Sequence, residues 1–459
     1  MTTIANKTFK VGILGLGGFG SHFIPLFKAH PLCSGVAGCE RLPQTLAKVT
    51  EEHELTETYT DFDEMLKSNI DAVAIFTQRW SHAPYAIKAL KAGKHVYSAV
   101  PAAVTLEELD ELVKTVEETG LTYTLGETSF YRCQRLYCRE RFARGDFGRF
   151  VYGEGHYYHD MAHWFYRPFF EANGADWKQY ASIPPIWYPT HSVSHVLGVT
   201  MSRMTHVSCY GYVDSPDEAD GLFDPKLSHW GNAFSNQSAL FRTADGGMVR
   251  INEFRRCAAG ESRQNIIGTL GAYQEQPNPE HVHLGVKAQM AGQEPQDGAC
   301  HAVFTQNGWK ESPYAEDGSF DYAKAEEVAK RDKEDVSHIH HLKGVEITRE
   351  RLGNLSPDYL GRKHLGVSDV HPVERLPAEF VGMRNGHAGS HQFLVQDFFE
   401  AMATGKLPPN HIWISARYNA PGIVAHESCQ KEGERLSIPD FGKPSEDAVC
   451  IDPLVQLRD

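Results

Sequence analysis

Two histidines, His191 and His195, stand four residues apart in YPTHSVSH. On a helix opening at Thr190 both rings project from one face. Three readings fit such a pair. A neutral imidazole, with an ordinary pKa of about 6.5, accepts a hydroxyl proton. A pair at this spacing also suits zinc, although HSVSH lacks the glutamate of HExxH. Or the rings are simply hydrogen-bonded in a core. Tyr188, just upstream, is a second group able to exchange a proton. A further histidine, His387, sits in RNGHAGSH, where Gly386 and Gly389 free the backbone to present a side chain from a loop. It reads as an acid/base facing a ligand or as a surface turn residue, and His391 fits a helix start. Tyr158 and His159 belong to or follow an aromatic strand, FVYGEGHYY, whose alternation puts His156 and Tyr158 on one face, flooring a pocket or packing. Trp164, Tyr166 and Trp187 are of a type that stacks on ligand rings or fills cores. Asn252 and Glu253 end a strand and receive no role.

The stretch that must position these groups is KVGILGLGGFG, Lys10 to Gly20. A buried strand breaks into glycines and a helical pattern follows, Ser21 to Ala29, which is the opening of a dinucleotide-binding unit. Gly15 turns the chain at the strand end. Gly17 lets backbone N–H groups approach a pyrophosphate, and Gly20 lets the helix pack close to the strand. The second strand, Gly35 to Cys39, ends in Glu40, where an acid takes the adenosine ribose hydroxyls and repels a 2′-phosphate. NAD is therefore expected over NADP, with Arg41 as the neighbour able to admit the phosphate.

The chain of 459 residues is too long for one core, so two domains are expected. The net charge of −14 argues against nucleic acid and anionic membranes as partners. No apolar run reaches the length of a membrane span. The N-terminus lacks a signal-peptide apolar core, so the cytoplasm is the expected location. Nine scattered cysteines without a CxxC pair fit free thiols in a reducing compartment.

Strands at 71–76, 95–97 and 121–125 alternate with helices at 81–92 and 105–118, which predicts a parallel doubly wound sheet over about residues 1–128. The pattern then changes. Strands at 150–158, 206–213, 239–243, 248–253 and 265–270 cluster without helices between them. They predict an α+β domain over 129–459 with an open, mostly antiparallel sheet. Residues 274–377 read as a long polar surface excursion, a lid or a subunit contact, holding one helix at 322–333. His338, His340 and His341 lie in it as a solvated loop or, less in keeping with ligand spacing, a metal site. Helices at 390–404 and 412–430 return to the core.

GLGGFG, then AGKHVYSAVPAAVTLEEL, then the sheet domain after residue 128, resemble the Gfo/Idh/MocA oxidoreductases. The resemblance covers Phe9 to about Asp214, and Asn385 to Phe441 again. It implies nicotinamide-dependent oxidation or reduction of a sugar-ring carbon. It also implies dimers or tetramers built through the open face of the sheet. It assigns the cofactor to Gly15, Gly17, Gly18, Phe19, Gly20, Glu40 and Pro101. One departure matters. The family's usual Glu-Lys-Pro, whose lysine assists at the substrate hydroxyl, is here Ala99, Val100 and Pro101. The lysine-free VPAA is similar to the branch that includes the NAD-dependent α-N-acetylgalactosaminidases. His159-Asp160, Tyr188-Pro189-Thr190-His191 and Gly386-His387-Ala388-Gly389 resemble that branch too. In many relatives an aspartate and a histidine hold the i, i+4 spacing, so His195 keeps the usual residue and His191 replaces the acid. The implied sugar site holds His159, Tyr158 and Trp187, with His191, His195, Tyr188 and His387 as its proton-transfer groups.

Such a site serves either of two reactions. In a dehydrogenase the third ring carbon is oxidised to a ketone and NADH leaves. In a redox glycosidase the ketone acidifies the neighbouring C–H, elimination expels the aglycone, water adds, and the retained NADH reduces the ketone. A non-catalytic sugar or nucleotide sensor on the same fold is the rival from another class, and the several histidines argue against it, because a sensor needs no proton-transfer groups.

Overall fold

The computed structural model describes residues 7–458 apart from 160–165, 216, 218–220, 258–259, 276–299, 306–313, 315–316 and 329. Asp160 and Trp164 thus lie outside the described residues, as does much of the 274–377 stretch. The N-terminal half of the sequence pattern gives β1 (Phe9–Leu14), β2 (Cys33–Cys39), β3 (Thr58–Tyr59), β4 (Ala72–Ile75), β5 (His95–Ser98) and β6 (Tyr123–Leu125). They form one parallel sheet in the order β3-β2-β1-β4-β5-β6. Strands β1 and β4 are almost wholly buried, as continuous apolar runs between helical layers require. The helical pattern at Ser21–Ala29 is broken in two, Gly18–Ser21 and Ile24–Ala29, with Pro25 at the start of the second piece.

The second sheet is built from β7 (Phe150–His159), β8 (Met204–Val213), β9 (Phe234–Thr243), β10 (Met248–Phe254), β11 (Gly260–Gly268), β12 (Gly271–Glu275), β13 (Cys300–Phe304) and β14 (Asp332–Asp335). A two-residue pair, β15 (Val345–Glu346) and β16 (Lys363–His364), stands apart, and β17 (Leu436–Ser437) joins one edge. Among the described residues the order is β14-β13-β12-β11-β7-β10-β9-β8-β17, antiparallel except where β10 runs parallel to β7. Two expectations are corrected here. The helix at 322–333 ends at Val328, and Asp332–Asp335 is a strand instead. The stretch 274–377 is not all surface excursion either, because β13 and β14 extend the sheet and Cys300, Ala302, Val336 and Ile339 are buried.

One face of this sheet is covered by helices; among the described residues the other stays open. Tyr210, Tyr212, Leu240 and Met248 are exposed there on neighbouring strands. The covered face takes helix Thr190–Thr200, every residue of which is buried. Its seat is cut by two glycines of β7. A Cβ at Gly155 would stand 2.0 Å from the Ser192 carbonyl oxygen, and one at Gly153 would stand 2.7 Å from Val196. Only glycine lets the helix lie this close. The C-terminal helices Ser390–Thr404 and Ile412–Gln430 cross to the first sheet. Phe399 stacks on His30 at 4.1 Å between ring centroids. Asn419 accepts from Ala102 N–H (2.6 Å) and donates to the Ala103 carbonyl (3.0 Å), holding the C-terminal end of the VPAA segment. One contiguous apolar core therefore runs from Phe9 and Phe27 through Phe393 and Phe399 to Val196 and Ile251.

Candidate active site

The dinucleotide loop has the shape its glycines require. Gly15 has φ +89°, and a Cβ there would meet the Phe76 backbone at 2.9 Å. A Cβ at Gly20 would stand 2.2 Å from the Gly15 carbonyl oxygen, so helix and loop touch. Gly17 and Gly18 instead face open space, with no atom within 4 Å of an added Cβ. Tight on its inner side and bare on its outer side, the loop fits a pyrophosphate laid against its N–H groups. Glu40 closes one flank, accepting from Leu16 N–H and Leu42 N–H, both at 3.0 Å. Each carboxylate oxygen keeps lone pairs for ribose hydroxyls. Arg41 is drawn aside, donating to the Ala172 carbonyl. Val100–Pro101 is a cis peptide, and the Pro101 carbonyl meets His82 Nδ1 at 2.8 Å. Val100 is buried, an apolar side chain where a lysine would act.

At the carboxyl end of β6 the chain places Glu127, fully buried. Its Oε1 is 2.8 Å from His191 Nδ1 and accepts from Ser129 N–H, also at 2.8 Å. Burial works to raise this carboxyl, but His191, Arg135 and the Ser129 N–H together hold it below the ordinary carboxylate range. An ionised Glu127 accepts from His191 and so holds a proton on Nδ1. Nε2 is then the acceptor, and Tyr188 Oη lies 3.2 Å from it. Burial and Tyr157 push the Tyr188 phenol up, against Arg79 and Arg255, so it is a proton donor at neutral pH. Glu127, His191 and Tyr188 thus form one directional chain ending at a phenol.

Around that phenol stand Arg79, whose guanidinium lies 4.3 Å from the Tyr188 ring centroid, and Arg255 at 6.0 Å. Arg255 pairs with buried Glu253 at 2.7 Å. Burial raises Glu253 to about 7 against that pairing, and Ser192 of the helix also donates to it. A shallow recess opens beside Tyr188 between Arg79, Tyr166, Ile183 and Phe223.

The predicted residues separate on this geometry. His195 shares the face of His191 but lies one turn on, its Nε2 accepting from Arg135 (3.2 Å) and meeting Ser262 Oγ at 3.0 Å. It is not joined to Tyr188. His159 lies on the His191 side through Tyr157, whose ring is 5.5 Å from His159 and 5.0 Å from His191. Burial, with Arg255 and Arg79 near, lowers His159 to about 4. Tyr158 is corrected. Strand alternation turns it to the other face of the sheet, where it bonds His156 Nδ1 at 2.8 Å and stacks on Phe254. Tyr157 takes the inward place. Trp187 packs against Trp230 and His426 rather than toward Tyr188.

His387 has φ +47°, a left-handed turn, and is neither remote nor isolated. Its ring meets Phe19 of the glycine loop edge-on at 5.5 Å, and its Nδ1 is 2.7 Å from His391 Nε2. Surrounding protein lowers it to about 4, and His191 and Arg132 are among the charges that do so. His387 therefore bridges the dinucleotide loop and the His191 side. His340 corrects the solvated-loop expectation: it is buried, 2.9 Å from Cys300 Sγ. Sequence reading missed Glu127, Tyr157, Arg79, Glu253 and Arg255. For Glu127 a signal existed, an acid at the carboxyl end of a parallel strand, where such sheets bind ligands.

Residues 9–127 match the family described as oxidoreductase family, NAD-binding Rossmann fold. The chain is 27% identical over 298 residues to a glycosyl hydrolase family 109 protein of Saccharopolyspora erythraea, covering 60% of this chain and 64% of that one. It is 26% identical over 299 residues to another protein of that name from Shewanella pealeana, covering 59% and 64%. The match thus spans 64% of the length of these curated relatives. In fold it is similar to levoglucosan dehydrogenase in complex with NADH, with TM-score 0.64 at 16% identity over 95% of this chain and all of that one. It is likewise similar to myo-inositol 2-dehydrogenase from Lactobacillus plantarum, with TM-score 0.61 at 16% identity over 94% of this chain. Set beside the glycine loop and the two-sheet architecture, these matches identify residues 9–127 as an NAD-binding Rossmann domain of the Gfo/Idh/MocA type.

Proposed function

We propose that this chain is an NAD-dependent enzyme that oxidises a ring hydroxyl of a sugar or glycoside, at the third carbon, and that elimination of the aglycone follows. The observation that carries the reading is the Glu127–His191–Tyr188 chain beside the dinucleotide loop, where Val100 supplies no lysine. NAD, when bound, would take up and later return a hydride, one proton with two electrons, at the sugar carbon. The residues handle the protons. Tyr188 meets the substrate hydroxyl and passes its own proton to His191 Nε2 as it takes the hydroxyl's. Glu127 stabilises the imidazolium that results. His387 is the second acid/base, for the ring C–H and the leaving oxygen. The names of the curated relatives, glycosyl hydrolase family 109, favour elimination over simple oxidation. The open sheet face with Tyr210, Tyr212, Leu240 and Met248 is the surface through which copies would pair, a state that light scattering reads.

The test is turnover of a chromogenic glycoside in heavy water. Aglycone release with deuterium at the carbon next to the oxidised one, and no net NADH, is the expected result. Free NADH in proportion to substrate, without deuterium or aglycone, makes the protein a dehydrogenase. A separate expectation concerns the cofactor. Glu40→Ala should weaken NAD binding and narrow the gap between NAD and NADP in a fluorescence titration. Native affinity for NADP equal to that for NAD overturns the assignment of Glu40.

A further inference from the structure

A second cluster lies on strands β12 and β13, toward the β14 end of the second sheet. Glu275 and Cys300 are direct cross-strand partners in that antiparallel pair, so their side chains leave the sheet on one face. The turn Ser337–His340, which follows β14, folds over them and brings His340 Nε2 to 2.9 Å from Cys300 Sγ. One ligand atom from each of Glu275, Cys300 and His340 lies within 4.8 Å of the others. From these three donors we infer a binding site for a divalent transition ion of the zinc class, separate from the NAD and sugar sites and owing nothing to the sugar reading.

The donor set carries the choice of ion. Thiolate, imidazole and carboxylate together suit zinc and its neighbours and do not suit magnesium or calcium, which take oxygen ligands. A tetrahedral ion with ordinary bond lengths sets sulfur and nitrogen about 3.6 Å apart. Cys300 and His340 need to open by less than an ångström to admit it. The supports are in place. Cys300 N–H donates to Ser337 Oγ at 3.2 Å, tying the strand to the turn that carries the imidazole. Gln134 Nε2, on the helix Cys133–Ala143, lies 2.8 Å from His340 Nδ1 and 3.3 Å from Glu275 Oε1; with His340 Nε2 on the ion, the amide turns over so that its oxygen accepts from Nδ1–H. Tyr273 Oη, 3.5 Å from His340 Nε2, lies at the remaining side. Binding replaces one proton, that of the Cys300 thiol, and leaves the ion with two negative ligands and one neutral imidazole.

The competing account is a Cys300–His340 hydrogen bond with Arg132 and Arg135 balancing Glu275, and no ion. Cobalt separates the two. The full-length protein is reduced, stripped with chelator and titrated with cobalt(II) while thiolate-to-cobalt absorption is followed. A band that saturates at one equivalent, is bleached by zinc, and is lost in both Cys300→Ser and His340→Ala supports the site. Gln134→Ala, which changes only the residue behind the ligands, should weaken cobalt binding about 10–100-fold. Absence of the band in the native protein, or its survival in Cys300→Ser, overturns it. Should either ligand variant not fold, the native titration and Gln134→Ala still decide.

Discussion

Glu127→Gln is expected to lower kcat by about 10²–10⁴-fold, the range for loss of a general acid–base function, while NAD affinity stays within a factor of a few. The reasoning is in the direction of the protons. Only an ionised carboxylate at 2.8 Å holds the His191 proton on Nδ1 and leaves Nε2 to accept from Tyr188. A glutamine amide can instead donate to Nδ1. The proton then sits on Nε2, and Tyr188 faces a donor. Ground-state shape hardly changes, because Glu127 and glutamine fill the same buried volume. His191→Ala should do at least as much harm to turnover, again with NAD binding intact, since the residue lies beyond the dinucleotide loop. The two losses belong to one chain, so Glu127→Gln with His191→Ala should be little worse than His191→Ala alone. Steady-state kinetics together with an NAD titration read all of this. Additive losses, or a Glu127→Gln enzyme with near-native kcat, make Glu127 a structural partner only. A Glu127→Asp variant that recovers part of kcat would separate a positioning role from a packing one.

The first sheet was legible because its signals are local. β1, the glycine turn and Glu40 follow one another in the sequence, and each strand from 71 to 125 is an apolar run closed by a helix. The second sheet was legible as strands but not as a register. Which way Tyr157 and Tyr158 face depends on where Gly153 and Gly155 admit the helix, a fact about two elements at once. Alternation alone therefore puts Tyr158 on the wrong side. The His191–Tyr188 pairing is visible because the two lie three residues apart on one turn. Its Glu127 partner is 64 residues away in the sequence and belongs to the other sheet, so no spacing rule reaches it. The same holds for His387, whose contact with Phe19 joins two distant segments of the chain. The charged neighbours of His340 make it read as solvated. What buries it is the pair of strands β12 and β13, which polar composition conceals.

His387→Ala should uncouple oxidation from cleavage. A dehydrogenase needs one proton acceptor, and the Glu127–His191–Tyr188 chain is the one proposed. Elimination needs a second, and His387 is the histidine placed between the dinucleotide loop and His191. Its Nδ1 is taken by His391 at 2.7 Å, which leaves Nε2 to face a ligand. Surrounding protein and nearby cations lower it to about 4, so it is neutral and able to accept a proton throughout the neutral range. The sign follows for pH: aglycone release should hold as pH falls through 6.5 and fail only as His387 gains its proton, near 4. In the variant, aglycone release should drop by about 10²–10⁴-fold while oxidation of the bound sugar survives. Reduced cofactor and keto-glycoside should then accumulate, and deuterium exchange next to the ketone should cease. His387→Gln keeps a polar side chain of similar bulk against Phe19 and should behave the same way, which separates lost proton transfer from a disturbed dinucleotide loop. Two results would place the second acid/base elsewhere: deuterium exchange at the native rate in both variants, or parallel loss of oxidation and cleavage with NAD binding unchanged. His159, on the other side of Tyr157 from His191, is then the next residue to replace.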